Sequence, residues 1–298
     1  MSNAYLGWFT SDMQFPFYIQ YGGHDEDTEL HRHADFSELA IVLRGHATHI
    51  VNDESFFIKK GNAFVINGST PHAYKEPQDF RICNIMYRPE MLASIGPDLR
   101  KSNGFQTLFV LEPFYRNIHS YASKLALPIT SLDYVESLIS KMIEEYHNRE
   151  QGYQTMLLSR FTELVVYLSR HYDTQEKGGE GNHLMHLANA ISYIEDHFLE
   201  PLSLEQVASR SNISVRHLNR MFQSYYGTTP ISYMHRLRLE KACNLLKHSS
   251  IPITQISYEC GYNDSNYFTR QFTKAYGISP RAFRQNDEVK YGVSMRTR

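Results

Sequence analysis

The sequence predicts an α+β, two-domain protein: a small N-terminal β-barrel followed by two helices, then an all-α C-terminal domain made of two tandem helix-turn-helix units. Three observations carry that prediction. Short runs rich in Ile, Val, Phe and Tyr, broken by Gly and Pro, crowd residues 18 to 87. The C-terminal part repeats itself with a period of 50 residues. Between them lies DTQEKGGEGN, Asp173 to Asn182, whose three glycines and polar neighbours have the composition of a linker. The predicted domains are residues 1–172 and 183–298, joined by 173–182, and 298 residues suffice for about two cores.

In the first domain the strand-like runs are FYIQYG, ELAIVLRGHATHIV, SFFIKKGNAFVI and FRICNIMY, a spacing that suggests a sandwich or barrel. Leu132, Val135, Leu138, Ile139, Met142, Ile143 and Tyr146 then recur at helical spacing, and a second such segment runs from Met156 to His171. The first of these stripes is either core against the barrel or a seam between two subunits.

In the second domain Leu218, Arg220, Phe222, Tyr226, Gly227 and Pro230 correspond to Phe268, Arg270, Phe272, Tyr276, Gly277 and Pro280. Upstream, Val207, Ala208 and Ile213 match Ile256, Ser257 and Tyr262, so the second copy has one extra residue in its turn. Ser203 with Gln206 reads as a capping box opening a helix whose apolar face is Leu204, Val207 and Ala208. A short turn follows, Ser214 caps the next helix, and Leu218, Met221, Phe222 and Tyr225 form that helix's buried side. This is the grammar of a helix-turn-helix, with Ala208 at the crossing and Ile213 in the turn; Ser257, Gly261 and Tyr262 take those places in the second copy.

Removing the buried positions leaves Arg216, His217, Asn219, Arg220 and Gln223 on the outer side of the first copy's second helix. Arg matches guanine N7 and O6, and Asn or Gln matches adenine N7 and N6, as readout of the DNA major groove requires. The equivalent face of the second copy is Ser265, Asn266, Thr269, Arg270, Thr273 and Lys274, shorter in reach and suited to phosphate contacts. Pro230 to Leu246 should be one linking helix of about 25 Å, long enough with its turns to set the reading helices roughly 34 Å apart, one turn of DNA. A plain helical bundle with a solvated basic face is the competing reading. Two copies in register, with matching Tyr-Gly-x-x-Pro endings, weigh against it.

Composition agrees. Net charge is −2 overall, yet residues 183–298 carry 14 Lys and Arg against 9 Asp and Glu, while residues 1–182 carry 16 against 23. No apolar run approaches the roughly 18 residues of a membrane span, and Met1 to Phe15 lacks the basic-then-apolar order of a secretion signal, so a cytoplasmic protein is expected. Cys83, Cys243 and Cys260 are odd in number and lack C-x-x-C spacing, which suits a reducing compartment.

The repeated unit, above all PITQISYECGYNDSNYFTRQFTKAYGISPRAFR from Pro252 to Arg284, closely resembles the DNA-binding domain of AraC/XylS-type transcription regulators over about the last 110 residues. By position the resemblance places Arg216, Asn219, Arg220, Asn266, Thr269 and Arg270 at base-contact sites. It implies promoter DNA and RNA polymerase as partners, an activator more often than a repressor, and a homodimer. It also implies that a domain standing first in the chain binds a small effector, often a sugar, with no cofactor required.

That first domain contains H-x-H-x-x-x-x-E (His31, His33, Glu38) with Gly45 after it, then Gly61 with His72 eleven positions on, which resembles the two cupin motifs. In cupins such residues converge in a small barrel and bind a divalent metal, a role that imidazole and carboxylate ligands suit. The pattern departs from the motifs at Asp25, Asn67, Ser69 and Glu76. Three readings stay open for the histidines: metal ligands, polar lining of an effector pocket, or residues that bond across the barrel mouth. The candidate effector residues are Tyr18, His31, His33, Glu38, Arg44, His46, His72 and Tyr74. A rival function, a metal-dependent cupin enzyme with a fused helical domain, needs a catalytic base beside the metal, and no paired-carboxylate or Ser/His/Asp set stands out.

Overall fold

The computed structural model describes residues 2–12, 14–52, 54–67, 70–93, 96–111, 124–175 and 182–285. Most of the expected linker, residues 176–181, and the motif departure at Ser69 lie outside them. The chain forms two compact units, Met1–Ala188 and Asn189–Arg298.

The first unit is built on an eight-stranded sheet. Its strands are β1 (Ser2–Ala4), β2 (Phe17–His24), β3 (His31–His33), β4 (Ser37–Val51), β5 (Glu54–Lys59), β6 (Asn62–Ile66), β7 (His72–Tyr87) and β8 (Leu125–Ala126). The long antiparallel pair β4 and β7 forms the spine. One half of that pair is flanked by β2 and by β6, the other by β3 and by β5. The halves differ in neighbours because the ladder shifts register between Val42 and Thr48. Gly45, at φ +67°, lies inside that shift; a Cβ there would sit 2.2 Å from the carbonyl oxygens of Gln78 and Asp79, so only glycine lets the strands cross this closely.

The barrel expectation is corrected here. Among the described residues no ladder joins the outer strands β1 and β8, and the sheet stays open. The edge strands β2 and β5 likewise have one neighbour each, β7 and β4.

Both faces of the first β4 segment are buried, which explains its near-continuous apolar run SELAIV. Leu39, Ile41, Ala63, Val65, Cys83 and Ile85 pack with helices α1 (Ile129–Asn148) and α2 (Tyr153–Gln175). Ala40, Val42, Phe64, Ile66, Phe80 and Ile82 face the other way and meet Ala47, Ile58 and Tyr74. The stripe Leu132, Val135, Leu138, Ile139 and Met142 on α1 belongs to the first of these cores. It is therefore occupied within the subunit and does not form a seam between subunits.

The second unit contains α3 (Asn182–His197) from Asn189 onward, then α4 (Leu204–Arg210), α5 (Val215–Tyr226), α6 (Pro230–His248), α7 (Ile253–Glu259), α8 (Ser265–Tyr276) and α9 (Pro280–Gln285). Val207, Ala208, Leu218, Met221 and Phe222 are buried in the first helix-turn-helix. Ile256, Tyr262, Phe268, Phe272 and Phe283 pack with Leu239, Ala242 and Leu246 of α6 in the second. Among the described residues no helix is long and apolar enough to cross a membrane.

Candidate functional site

Each reading helix begins where the chain chemistry says it should. Ser203 accepts from the Gln206 amide while the Gln206 side chain bonds the Ser203 amide, a complete capping box for α4. Ser214 caps α5 through the His217 amide at 3.2 Å, and Asp264 caps α8 through the Asn266 amide at 2.8 Å. The turns match as well: the Ile213 amide donates to the Ala208 carbonyl and the Tyr262 amide to the Ser257 carbonyl, both at 3.0 Å.

With those helices anchored, Arg216, Arg220 and Gln223 are exposed on α5, and His217 and Asn219 are half-buried. Asn219 donates one amide hydrogen to the Val215 carbonyl at 3.0 Å, which holds the side chain along the helix and leaves its second donor. Arg220 Nη2 lies 3.4 Å from His217 Nδ1, so the imidazole braces the guanidinium from one side. On α8, Asn266, Arg270, Thr273 and Lys274 are exposed, Ser265 and Thr269 half-buried. The Thr269 hydroxyl donates to the Ser265 carbonyl of its own helix at 2.8 Å. Arg270 lies 5.9 Å from the ring centre of Tyr267, an exposed residue that sequence reasoning passed over because it weighed base-pairing side chains and not ring contacts.

In the first unit the fold gathers His31, His33, Glu38, His72 and Tyr74. β3 pairs His31 with His72, and one ligand-capable atom from each of His31, His33 and His72 falls within 4.8 Å of the others. Glu38 Oε2 is 3.2 Å from His33 Nε2. Burial pushes the Glu38 carboxyl up to about 8. Burial, then His31, pushes His33 down to about 3. The pair is thus a neutral hydrogen bond, the acid donating to Nε2, rather than an ion pair. His72 is also held well below its ordinary value, first by burial and then by His33, His31 and His49.

Two ring orientations are set from outside. His31 Nδ1 is 3.0 Å from the Glu29 carbonyl and His72 Nδ1 is 3.3 Å from the Thr70 carbonyl, so these nitrogens carry the hydrogens and the Nε2 lone pairs are left for a ligand. His33 Nδ1 and Asn84 Oδ1 are buried with no hydrogen-bond partner among the described residues. This donor set, three imidazoles and one carboxyl, has the composition of a divalent transition-metal site.

The other three candidates lie elsewhere. Arg44 pairs with Asp79 at 2.5 Å with its side chain 71% exposed, and His46 packs on Phe57 at the outer side of the sheet. Tyr18 packs against Phe9 and Tyr146 and bonds Gln20. Conversely His49 joins the cluster, buried, 5.8 Å from His72 and 5.0 Å from Tyr74 between ring centres. Its alternation with Ala47 and Val51 along β4 was the available sequence signal.

Comparison with known proteins matches these parts in order. The family model for an AraC-like ligand binding domain covers residues 16–165, and one for a helix-turn-helix domain covers 207–286. The chain is 32% identical to the HTH-type transcriptional activator RhaS of Escherichia fergusonii over 257 residues, 86% of this chain and 88% of the relative. It is 32% identical over 260 residues to RhaS of an Enterobacter species, with the same shares covered. A solved AraC-type regulator from Chromobacterium violaceum is 36% identical over 34% of this chain and 89% of its own, with a TM-score of 0.32. A ligand-binding domain in front of a helix-turn-helix domain, and similarity running through both, establish that the chain belongs to the AraC family of DNA-binding transcription regulators, which are not enzymes.

Proposed function

We propose that this regulator is a cytoplasmic, homodimeric activator that reads promoter DNA with α5 and α8 in successive major grooves and answers a small polyhydroxylated effector such as a sugar. The observation that carries the reading is the pair of exposed, donor-rich helix faces on one helical unit. Arg216, Arg220 and Gln223, with the remaining Asn219 donor, read base edges, and His217 positions Arg220. On α8, Asn266, Arg270 and Lys274 reach the DNA, while Ser265 and Thr269 sit close to the backbone. The effector's hydroxyls pair with the polar groups gathered on the sheet, namely His31, His33, Glu38, His72 and Tyr74. By binding one arrangement of the protein more tightly than another, it alters contact with RNA polymerase.

The test is selection of bound duplexes from a random pool, followed by footprinting and thermal unfolding against a sugar panel. Two protected segments one helical turn apart, and stabilisation by one sugar, are expected. A single protected segment refutes two-groove binding, and an unchanged melting temperature across the panel refutes a sugar effector. Sedimentation of the full chain tests the dimer.

A second reading of the cluster is favoured by the two carbonyl-tethered imidazoles. In it His31, His33, His72 and Glu38 hold a divalent cation that orders the strands they come from. Titration of cobalt(II) into the purified chain should give d–d absorption at one equivalent, absent in His72→Ala. No absorption, or the same absorption in the variant, refutes it.

A further inference from the structure

On helix α6, Arg238 is only 7% exposed, a rare degree of burial for this side chain. Its Nε donates to the Phe198 carbonyl at 2.5 Å and its Nη2 to the Glu200 carbonyl at 2.8 Å. Both are charge-assisted bonds, which only the arginine fork can make together. The carbon of the same guanidinium lies 5.5 Å from the ring centre of Tyr262.

The three groups so joined belong to different parts of the second unit. Phe198 to Glu200 lead from α3 into the first helix-turn-helix, Arg238 is on the linking helix, and Tyr262 plugs the turn of the second helix-turn-helix. Gly261, at φ +78°, closes on the same segment. A Cβ there would lie 2.6 Å from the Leu199 carbonyl oxygen and 3.0 Å from its carbonyl carbon and Cα. Tyr233, also on α6, adds a 2.6 Å bond from its hydroxyl to Glu195 of α3. The second turn is therefore docked on the backbone that enters the first copy.

We propose that Arg238 is a positioning residue for DNA reading: by clamping the Phe198–Glu200 backbone beneath Tyr262 it sets the distance and rotation between α5 and α8. The chain then accepts its two DNA segments at one separation only. This rests on the two-groove reading proposed above. Two reading helices held in one pose raise each other's effective concentration at a matching site and lose that gain at a mismatched one; helices free to pivot gain less and lose less.

The experiment measures binding of the full chain to a duplex it selects from a random pool. It is compared with versions carrying insertions of up to about five base pairs, half a helical turn, between the two protected segments. A duplex with the first segment alone completes the set. Wild type should lose about tenfold or more in affinity on insertion. Arg238→Lys, which keeps the charge but not the fork, should lose less than about threefold on insertion while binding the single segment as wild type does. Gly261→Ala is the second variant, since its methyl must displace Leu199 and loosen the same joint by another route. If either folded variant keeps the wild-type dependence on insertion, or loses single-segment affinity in parallel, the proposal is overturned. If wild type itself is indifferent to insertion, two-groove binding fails instead.

Discussion

The two helix-turn-helix copies are alike where they are buried and differ where they are not. Phe222 and Phe272 are both fully buried, and both turns close through the same backbone bond, Ile213 to Ala208 and Tyr262 to Ser257. Yet α4 opens on a complete capping box, whereas α7 opens after Pro252 with no side-chain cap. The residue with positive φ in the turn is Asn212 in one copy and Gly261 in the other. Reach differs most: α5 presents Arg216, Arg220 and Gln223, while α8 spends the Thr269 hydroxyl on its own helix and sets Arg270 beside Tyr267. Packing has constrained one side of each unit, and the other is left to set what each copy recognises.

The comparison can be broken at several points. Phe222→Ala and Phe272→Ala should each destabilise the second unit by about 3–5 kcal/mol in denaturant unfolding, and a loss below about 1 kcal/mol in one copy would end the structural equivalence. Arg220→Ala should weaken the selected duplex by about 1–3 kcal/mol and random DNA hardly at all. Arg270→Ala should weaken both duplexes to a similar, smaller extent, as loss of a phosphate contact does. Equal specificity losses from the two arginines would make the copies equivalent readers. Ser203→Ala removes the capping box and should cost about 1 kcal/mol of stability, whereas Pro252→Ser should stabilise by a similar amount if the missing cap is the real difference. Thr269→Val should change affinity for the selected duplex by no more than about 0.5 kcal/mol, since its hydroxyl already has a partner; a larger loss would return Thr269 to direct contact with DNA.

Local signals made the second unit legible. Caps, the helical spacing of Leu218, Met221 and Phe222, and the repeat itself all act within a few residues, so pattern and structure agree there. The first unit was harder. β3 has three residues, too few for a periodic signal, yet it brings His31 against His72. The change of flanking strands along the β4–β7 pair goes with the register shift around Gly45, and Glu76 and Asp79, both at positive φ, lie in the strand opposite. Inward or outward facing is a local property. Which strands are neighbours is not. For that reason the histidine set could be named from its resemblance to the cupin motifs, while Arg44 and His46, in β4, could not be told apart from it.

Arg236 and Arg238 mark the same limit within one helix. The sequence alone determined that HRLRLEKACNLL is helical and that it joins two copies of one unit, because Leu237, Ala242, Leu245 and Leu246 recur at helical spacing after Pro230. Helical spacing sets Arg238, four residues from Met234 and four from Ala242, on the apolar face and Arg236 off it, but names a partner for neither. Arg236 stays outside over Tyr233 and beside Glu240, whereas Arg238 turns in to carbonyls 40 and 38 residues upstream. Only the tertiary structure decided this, because a buried guanidinium is tolerated solely where distant backbone arrives to accept its hydrogens.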